Sequence, residues 1–317
     1  MFFNRKKDAE IDALRAEIAA LKNQLAADRG DAIPDADPTP DAEKYWTADG
    51  APRYISPIGK RWLFPQQLLS GVHTLIAGTT GCGKSTLINS IIFDAMLKGP
   101  ANASLFLCDP KKVELSRYEY LPHTSAYADT HADIVRVVQS VRGLMEMRFA
   151  EMKKAGLRKY RGGDCYLIID EIADLRIGPY KKQFTEELQR ILQLGRAANI
   201  HVIAATQAPN REIIPASLVI NFPQRVGLKC ASAIESRQIV GVAGCESLPK
   251  YGQGIFADGA DISREAIPLT DDAEIDERIA YWRAQDIAAY NCITRAARKN
   301  PINAGDRIRR ARYFLGQ

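Results

Sequence analysis

The sequence predicts an α/β domain built on a mainly parallel sheet, and three observations lead there. Short apolar runs alternate with helix-compatible stretches from about residue 54 onward. A glycine-rich stretch, GTTGCGKS at 78–85, stands between one such run and one such helix. A further run, YLII at 166–169, ends in Asp170-Glu171. Strand–helix alternation of this kind builds units whose strands lie parallel.

Taken in order, the chain first offers Ile11, Leu14, Ile18, Leu21 and Leu25 at alternating three- and four-residue steps in a segment rich in Ala, Glu, Lys and Arg. That is a short heptad stripe, and it predicts an amphipathic or coiled-coil helix over 1–30. About two heptads are marginal alone in water. The stripe therefore suits an oligomer seam, a partner protein's helix, or a helix laid against the body. Residues 31–53 open with DAIPDADPTPDAE, three prolines and repeated acids with little to bury, which is linker composition.

The body, 54–285, alternates VHTLIAG at 72–78, a helix from Lys84 to Leu97, SLFLCD at 104–109, a helix over 130–152, CYLIID at 165–170, HVIAAT at 201–206 and RVGLKC at 225–230. In the 130–152 helix, Ile134, Val137, Val138, Val141, Leu144, Met145 and Met152 fall largely on one face, and Thr130 with Asp133 forms a capping-box pattern. With 46% hydrophobic residues among 317, one large core with appendages is expected.

Charge is unevenly placed. The net is +5, yet residues 294–317 carry seven basic residues against Asp306, or +6, which leaves −1 for the rest. A basic tail over 286–317 suits an anionic polymer or a solvated end. No run of eighteen apolar residues occurs, and MFFNRKK lacks the apolar stretch of a secretory signal, so no membrane insertion and a cytoplasmic location are expected. Six cysteines without a C-x-x-C pair read as reduced thiols.

Gly78, Thr79, Thr80, Gly81, Cys82, Gly83, Lys84 and Ser85 fit G-x-x-x-x-G-K-[ST] in the strand-to-helix context that this pattern needs. Glycines let the backbone N–H groups curl toward phosphate oxygens, and the helix N-terminus adds its dipole. Lys84 is expected at the β- and γ-phosphates, Ser85 on Mg²⁺, and the following Thr86 beside them, with ATP as the nucleotide. Cys82 within the loop is a candidate point of attack for thiol reagents. At the end of the 165–170 strand, Asp170 is expected to hold Mg²⁺, directly or through water, and Glu171 to polarise the attacking water as general base. Thr206 and Gln207 end another strand, where ligands of open parallel sheets sit, so Gln207 is expected to sense the γ-phosphate or orient water. Two arginines, Arg196 and Arg237, are candidates for a cation brought to the γ-phosphate, often in trans from a neighbouring subunit, with an ordinary surface pair the alternative for either. KKAGLRKYRGG at 153–163 places Lys153, Lys154, Arg158, Lys159 and Arg161 around a tyrosine with no acid, the composition of a mobile loop on a phosphate backbone.

In this order, HTLIAGTTGCGKS, DPKKVELSRYEYLPH, MEMRFAEMKKAGLR, IIDEIADL, GRAANIHVIAATQAPN and RVGLKCASAIESRQIVG resemble the motor domain of the FtsK/SpoIIIE family of DNA translocases over roughly residues 55–285. DPKKVEL and RAANIHVIAATQ are the more specific of these. The resemblance implies a RecA-like P-loop NTPase that forms a homo-oligomeric ring, usually a hexamer, around double-stranded DNA and moves it by ATP hydrolysis. It implies ATPase roles for Lys84, Ser85, Asp170 and Glu171, an arginine-finger role for Arg196, and DNA contact for the basic loop and for Arg211. The chain departs from the cell-division members in lacking a multi-span anchor and a winged-helix module, which suits transfer or packaging of a mobile element, plasmid or phage genome. A protein-secretion ATPase of the same superfamily and an ATP-switched nucleic-acid-binding protein are the alternatives. The strand before DPKK is expected close to the phosphate-loop strand, with Asp109 and Lys111 near the nucleotide or a subunit boundary.

Overall fold

The computed structural model describes residues 73–207, 209, 214–259, 261–267 and 271–299. The expected helix over 1–30, the linker over 31–53, Arg211 and the tail beyond Lys299 lie outside the described residues.

Eight strands form one sheet: β1 (Thr74–Ala77), β2 (Ala103–Cys108), β3 (Thr124–Ala128), β4 (Asp164–Ile169), β5 (Ile200–Thr206), β6 (Gln224–Gly227), β7 (Gln253–Asp258) and β8 (Asp261–Ala266). The helices are α1 (Lys84–Leu97), α2 (His131–Ala155), α3 (Ile172–Leu175), α4 (Lys181–Leu194), α5 (Ala216–Val219), α6 (Ala233–Val240) and α7 (Asp272–Lys299). Strand order is β3-β2-β4-β5-β1-β6-β7-β8. Every pair from β3 to β6 is parallel, and the last two pairs are antiparallel. Central parallel strands are covered on both faces and so read as unbroken apolar runs. Alternate residues explain why: Cys165, Leu167 and Ile169 of β4 with Ile200, Val202 and Ala204 of β5 join a core that includes Val138 and Val141 of α2 and Leu188 and Ile191 of α4. Residues of the other parity, Tyr166, Ile168, Ile203 and Ala205, are equally buried.

The helix ends follow local chemistry. Thr130 Oγ1 accepts from the Asp133 amide at 3.2 Å to open α2, and Gly156 closes it with φ 65°, a left-handed turn that favours glycine. Lys153 and Lys154 sit in its last turn, where the dipole favours cations.

Two expectations are corrected. The strand before DPKK, β2, is separated from the phosphate-loop strand β1 by β4 and β5. RVGLKC forms a strand only to Gly227, because β1 turns into its loop after Ala77 and offers no further edge to pair. β3 and the β7–β8 pair were not anticipated. Among the described residues no helix is long and apolar enough to cross a membrane.

Candidate active site

β1 lies between β5 and β6, and the chain leaves it to cross over to β2 on the far side of β5. Such a reversal opens a crevice at the carboxyl ends of the strands. The predicted phosphate loop, Asp170, Glu171 and Gln207 lie at that end of the sheet. Gly78 leaves β1 with no room for a side chain: a Cβ would stand 2.7 Å from Cys82 Sγ and 2.8 Å from Leu228 Cβ. Gly83, at φ 100°, is the N-cap of α1. Thr79 is fixed on the other flank, its amide and hydroxyl donating to the Lys229 carbonyl at 2.9 and 3.0 Å. Lys84 is buried and donates from Nζ to the Gly78 and Thr79 carbonyls at 2.8 and 2.9 Å. Burial lowers its pKa, opposed by Cys82, Glu171 and Asp170. Ser85 and Thr86 follow in the first turn of α1.

Cys82 does not have the exposure that thiol chemistry requires. It is buried, and burial pushes its pKa up despite nearby Lys84, both of which disfavour attack by thiol reagents.

Two strands away, β4 delivers Asp170 and Glu171. Both are buried. Burial, then Asp109, Glu114 and Glu171, push the Asp170 carboxyl up to about 6, while Lys111 pulls the other way. An acid held among acids fits a divalent cation. Among the described residues no group of three or more His, Cys, Asp or Glu is arranged to hold a metal, and Mg²⁺ in nucleotide sites characteristically takes one or two carboxylates plus phosphate oxygens. The residues present thus fit ATP with Mg²⁺: the loop and Lys84 for phosphates, Ser85 and Asp170 for the metal. Bound Mg²⁺ supplies charge neutralisation at the transferring phosphoryl group.

Glu171 is held on two sides. Its carboxylate accepts from the Gln207 amide at 3.2 and 3.1 Å and from Lys111 Nζ at 3.0 Å. Gln207 is tied back to the phosphate loop, since Thr80 Oγ1 donates to its Oε1 at 2.7 Å. Lys111 was legible only as a residue near the nucleotide; its pairing with Glu171 arises because β2 and β4 are neighbours, Cys108 standing opposite Ile169.

The arginines fall elsewhere. Arg196 is exposed in a 3₁₀ turn, Gly195–Ala198, at the start of β5. At about 3.3 Å per residue, the seven residues of β5 put it roughly 20 Å from Gln207. It does not join the phosphate loop of its own chain. Arg237 lies on α6, lining a cavity of about 500 Å³ with Thr206, Phe222 and Arg225 but with no phosphate-loop residue.

The basic loop shares Arg196's edge of the sheet. Lys153, Lys154, Arg158, Lys159 and Arg161 are all exposed. The loop is tied to the body: the Tyr160 amide donates to the Ala197 carbonyl at 2.8 Å, and Asn199 Nδ2 donates to the Tyr160 and Gly162 carbonyls at 3.1 Å. Tyr160 itself is stacked by buried Arg148, 4.5 Å from ring centre to guanidinium carbon, so its ring anchors the loop. On this edge Asp164 is satisfied by Lys98 Nζ at 2.8 Å and His201 Nε2 at 3.1 Å. Burial pushes the Asp164 carboxyl up, but hydrogen bonds from His201 and Lys98 prevail and hold it well below the usual range.

A phosphate loop at the end of a central parallel strand, with an acid pair and a polar strand end beside it, defines a P-loop ATPase. Residues 58–167 match the FtsK/SpoIIIE family, and this domain is a member of it. Among its relatives, the DNA translocases FtsK of Rhizobium meliloti and Agrobacterium fabrum are each 33% identical over 69% of this chain, covering 30% and 29% of those proteins. The chain thus spans about 30% of the length of the curated relatives it matches. Two solved structures share the fold: the pCW3 conjugation coupling protein TcpA with ATPγS, at TM-score 0.60 and 20% identity over 67% of this chain and 65% of that one, and the cytoplasmic domain of the Thermomonospora curvata type VII secretion ATPase EccC, at 0.61 and 22% over 77% and 32%.

Proposed function

We propose that the chain is a cytoplasmic, ATP-hydrolysing motor that moves double-stranded DNA as a homo-oligomeric ring, hexameric in the first instance. The observation that carries this reading is the meeting of Lys84, Asp170, Glu171 and Gln207 at one end of the sheet in a domain of the FtsK/SpoIIIE family. Lys84 and the loop amides hold the phosphates, Ser85 and Asp170 the Mg²⁺, and Glu171 takes the proton of the attacking water. Two features support DNA as the substrate: the relatives named DNA translocases, and the exposed basic set Lys153, Lys154, Arg158, Lys159 and Arg161, which reaches solvent without acidic neighbours in the loop. The ring accounts for Arg196, because an arginine far from its own phosphate loop reaches nucleotide only across a subunit boundary. Arg211 and the basic tail extend the DNA surface, the heptad stripe of 1–30 recruits a partner or a second copy, and the cargo is a mobile-element, plasmid or phage genome.

The test is ATP turnover of purified protein with and without duplex DNA. Stimulation is expected. Turnover that ignores DNA at low salt, where backbone contacts are strongest, would remove the translocase reading while leaving the nucleotide site intact.

A further inference from the structure

Resting on the reading of Glu171 as general base, we propose that Lys111 is a positioning residue that locks the Glu171 carboxylate against the Gln207 amide in the nucleotide-free protein, and that its ammonium must leave before Glu171 can address water.

The geometry carries this in three steps. Glu171 is nearly sealed, its side chain 3% exposed, and both oxygens are engaged by Gln207 N while Oε2 also accepts from Lys111 Nζ at 3.0 Å. A base so held has partners where its water should be. Lys111, by contrast, has a side chain 35% exposed and carries its charge on a flexible four-carbon stem, so it is the partner free to move.

The backbone beneath it is not free. The Lys112 amide donates to the Asp109 carbonyl at 3.0 Å, and Lys112 itself stands at φ 61°. The Leu115 amide donates to buried Asp109 Oδ2 at 2.9 Å. Further on, Tyr118 OH donates to Asn89 Oδ1 of α1 at 2.9 Å, and Arg117 pairs with both Asp272 and Asp276 of α7 at 2.6 Å. Segment 109–123 is thus strapped to α1 and α7 at residues 117 and 118, just past one swinging side chain. The displacement assigned to it is that of the ammonium, drawn from one anion to another. The incoming anion that fits is a polyphosphate terminus at the loop of Lys84, whose own ammonium now rests on loop carbonyls.

The test uses the full chain with Lys111→Met, Lys111→Arg, Glu171→Gln and the double variant Lys111→Met/Glu171→Gln. In nucleotide-free melting, Lys111→Met is expected to lower Tm in the wild-type background and to have no effect with Glu171→Gln, because the charge it compensates has gone. An identical change in both backgrounds, zero included, overturns the pairing. In steady-state kinetics without DNA, Lys111→Met should raise kcat about two- to fivefold, the effect of releasing one partly exposed ion pair, and raise KM, because the ammonium no longer meets the polyphosphate terminus. Lys111→Arg should return kcat to the wild-type value. A fall in kcat with Lys111→Met, or no rescue by arginine, overturns the lock. Normal turnover by Glu171→Gln is a separate result: it removes the base role of Glu171, and the melting comparison then decides by itself whether the pair forms.

Discussion

The two edges of the sheet treat charge in opposite ways. At the carboxyl edge, Lys84, Asp109, Asp170 and Glu171 are all buried, and Asp170 is left among acids with its carboxyl pushed up to about 6. At the amino edge, five cations of the 153–163 loop stand in water, and the half-buried acid Asp164 is paired with Lys98 and His201. The first edge carries unfavourable burial that a bound ion and phosphates would relieve, as functional sites do at the expense of stability. The second is at rest, and suits a long polyanion held by many weak contacts.

The contrast is broken most severely at the carboxyl edge. Lys84→Ala should cut turnover by about a hundred- to a thousandfold, the cost of removing one preorganised donor from developing charge, as read in steady-state ATPase rates. Replacing Lys153, Lys154, Arg158, Lys159 and Arg161 together by Ala should leave the rate without DNA as it was. It should also weaken duplex binding by at least about tenfold and flatten its salt dependence, measured by titration at several salt concentrations.

Asp170→Asn sharpens the comparison, because activity and stability should move apart. A carboxyl raised from 3.8 to about 6 favours the folded state below that range and penalises it above. At pH 7 the penalty is up to about 3 kcal/mol. The variant should therefore lose turnover yet melt higher than wild type in nucleotide-free buffer at pH 7. The smallest effect concerns His73, just ahead of β1, whose pKa burial lowers to about 4, with His201 and Arg196 adding to it. A histidine held neutral contributes stability above 6.5 that is lost as pH falls toward 4. On the order of 1 kcal/mol should go between pH 7 and 5.5, and more visibly in Asp170→Asn, where the opposing carboxyl is gone. Denaturant melts at the two pH values check this.

What the sequence made legible divides along physical lines. The phosphate loop and the Lys84–Leu97 helix were readable because glycine placement and strand context are local requirements. The strands β4 and β5 were readable because burial on both faces leaves an apolar run. β3, reading TSAYA, and β8, reading DISREA, lie at the sheet's ends and are half-exposed or exposed, so no apolar run marks them. The Lys111–Glu171 pair lies sixty residues apart and depends on strand order, which no local pattern encodes. For the same reason the eleven positions between Arg196 and Gln207 do not reveal that β5 carries the two to opposite ends of the sheet.

The last strand has a consequence for how copies of this chain can meet. β8 closes the sheet with Asp261, Arg264 and Glu265 along an edge that is exposed for its first four residues. Alternating charges on a short terminal strand make poor templates for another backbone. Neighbouring copies of this chain are thus discouraged from fusing edge to edge into a continuous β-sheet, and the antiparallel hairpin acts as a bumper that keeps them separable.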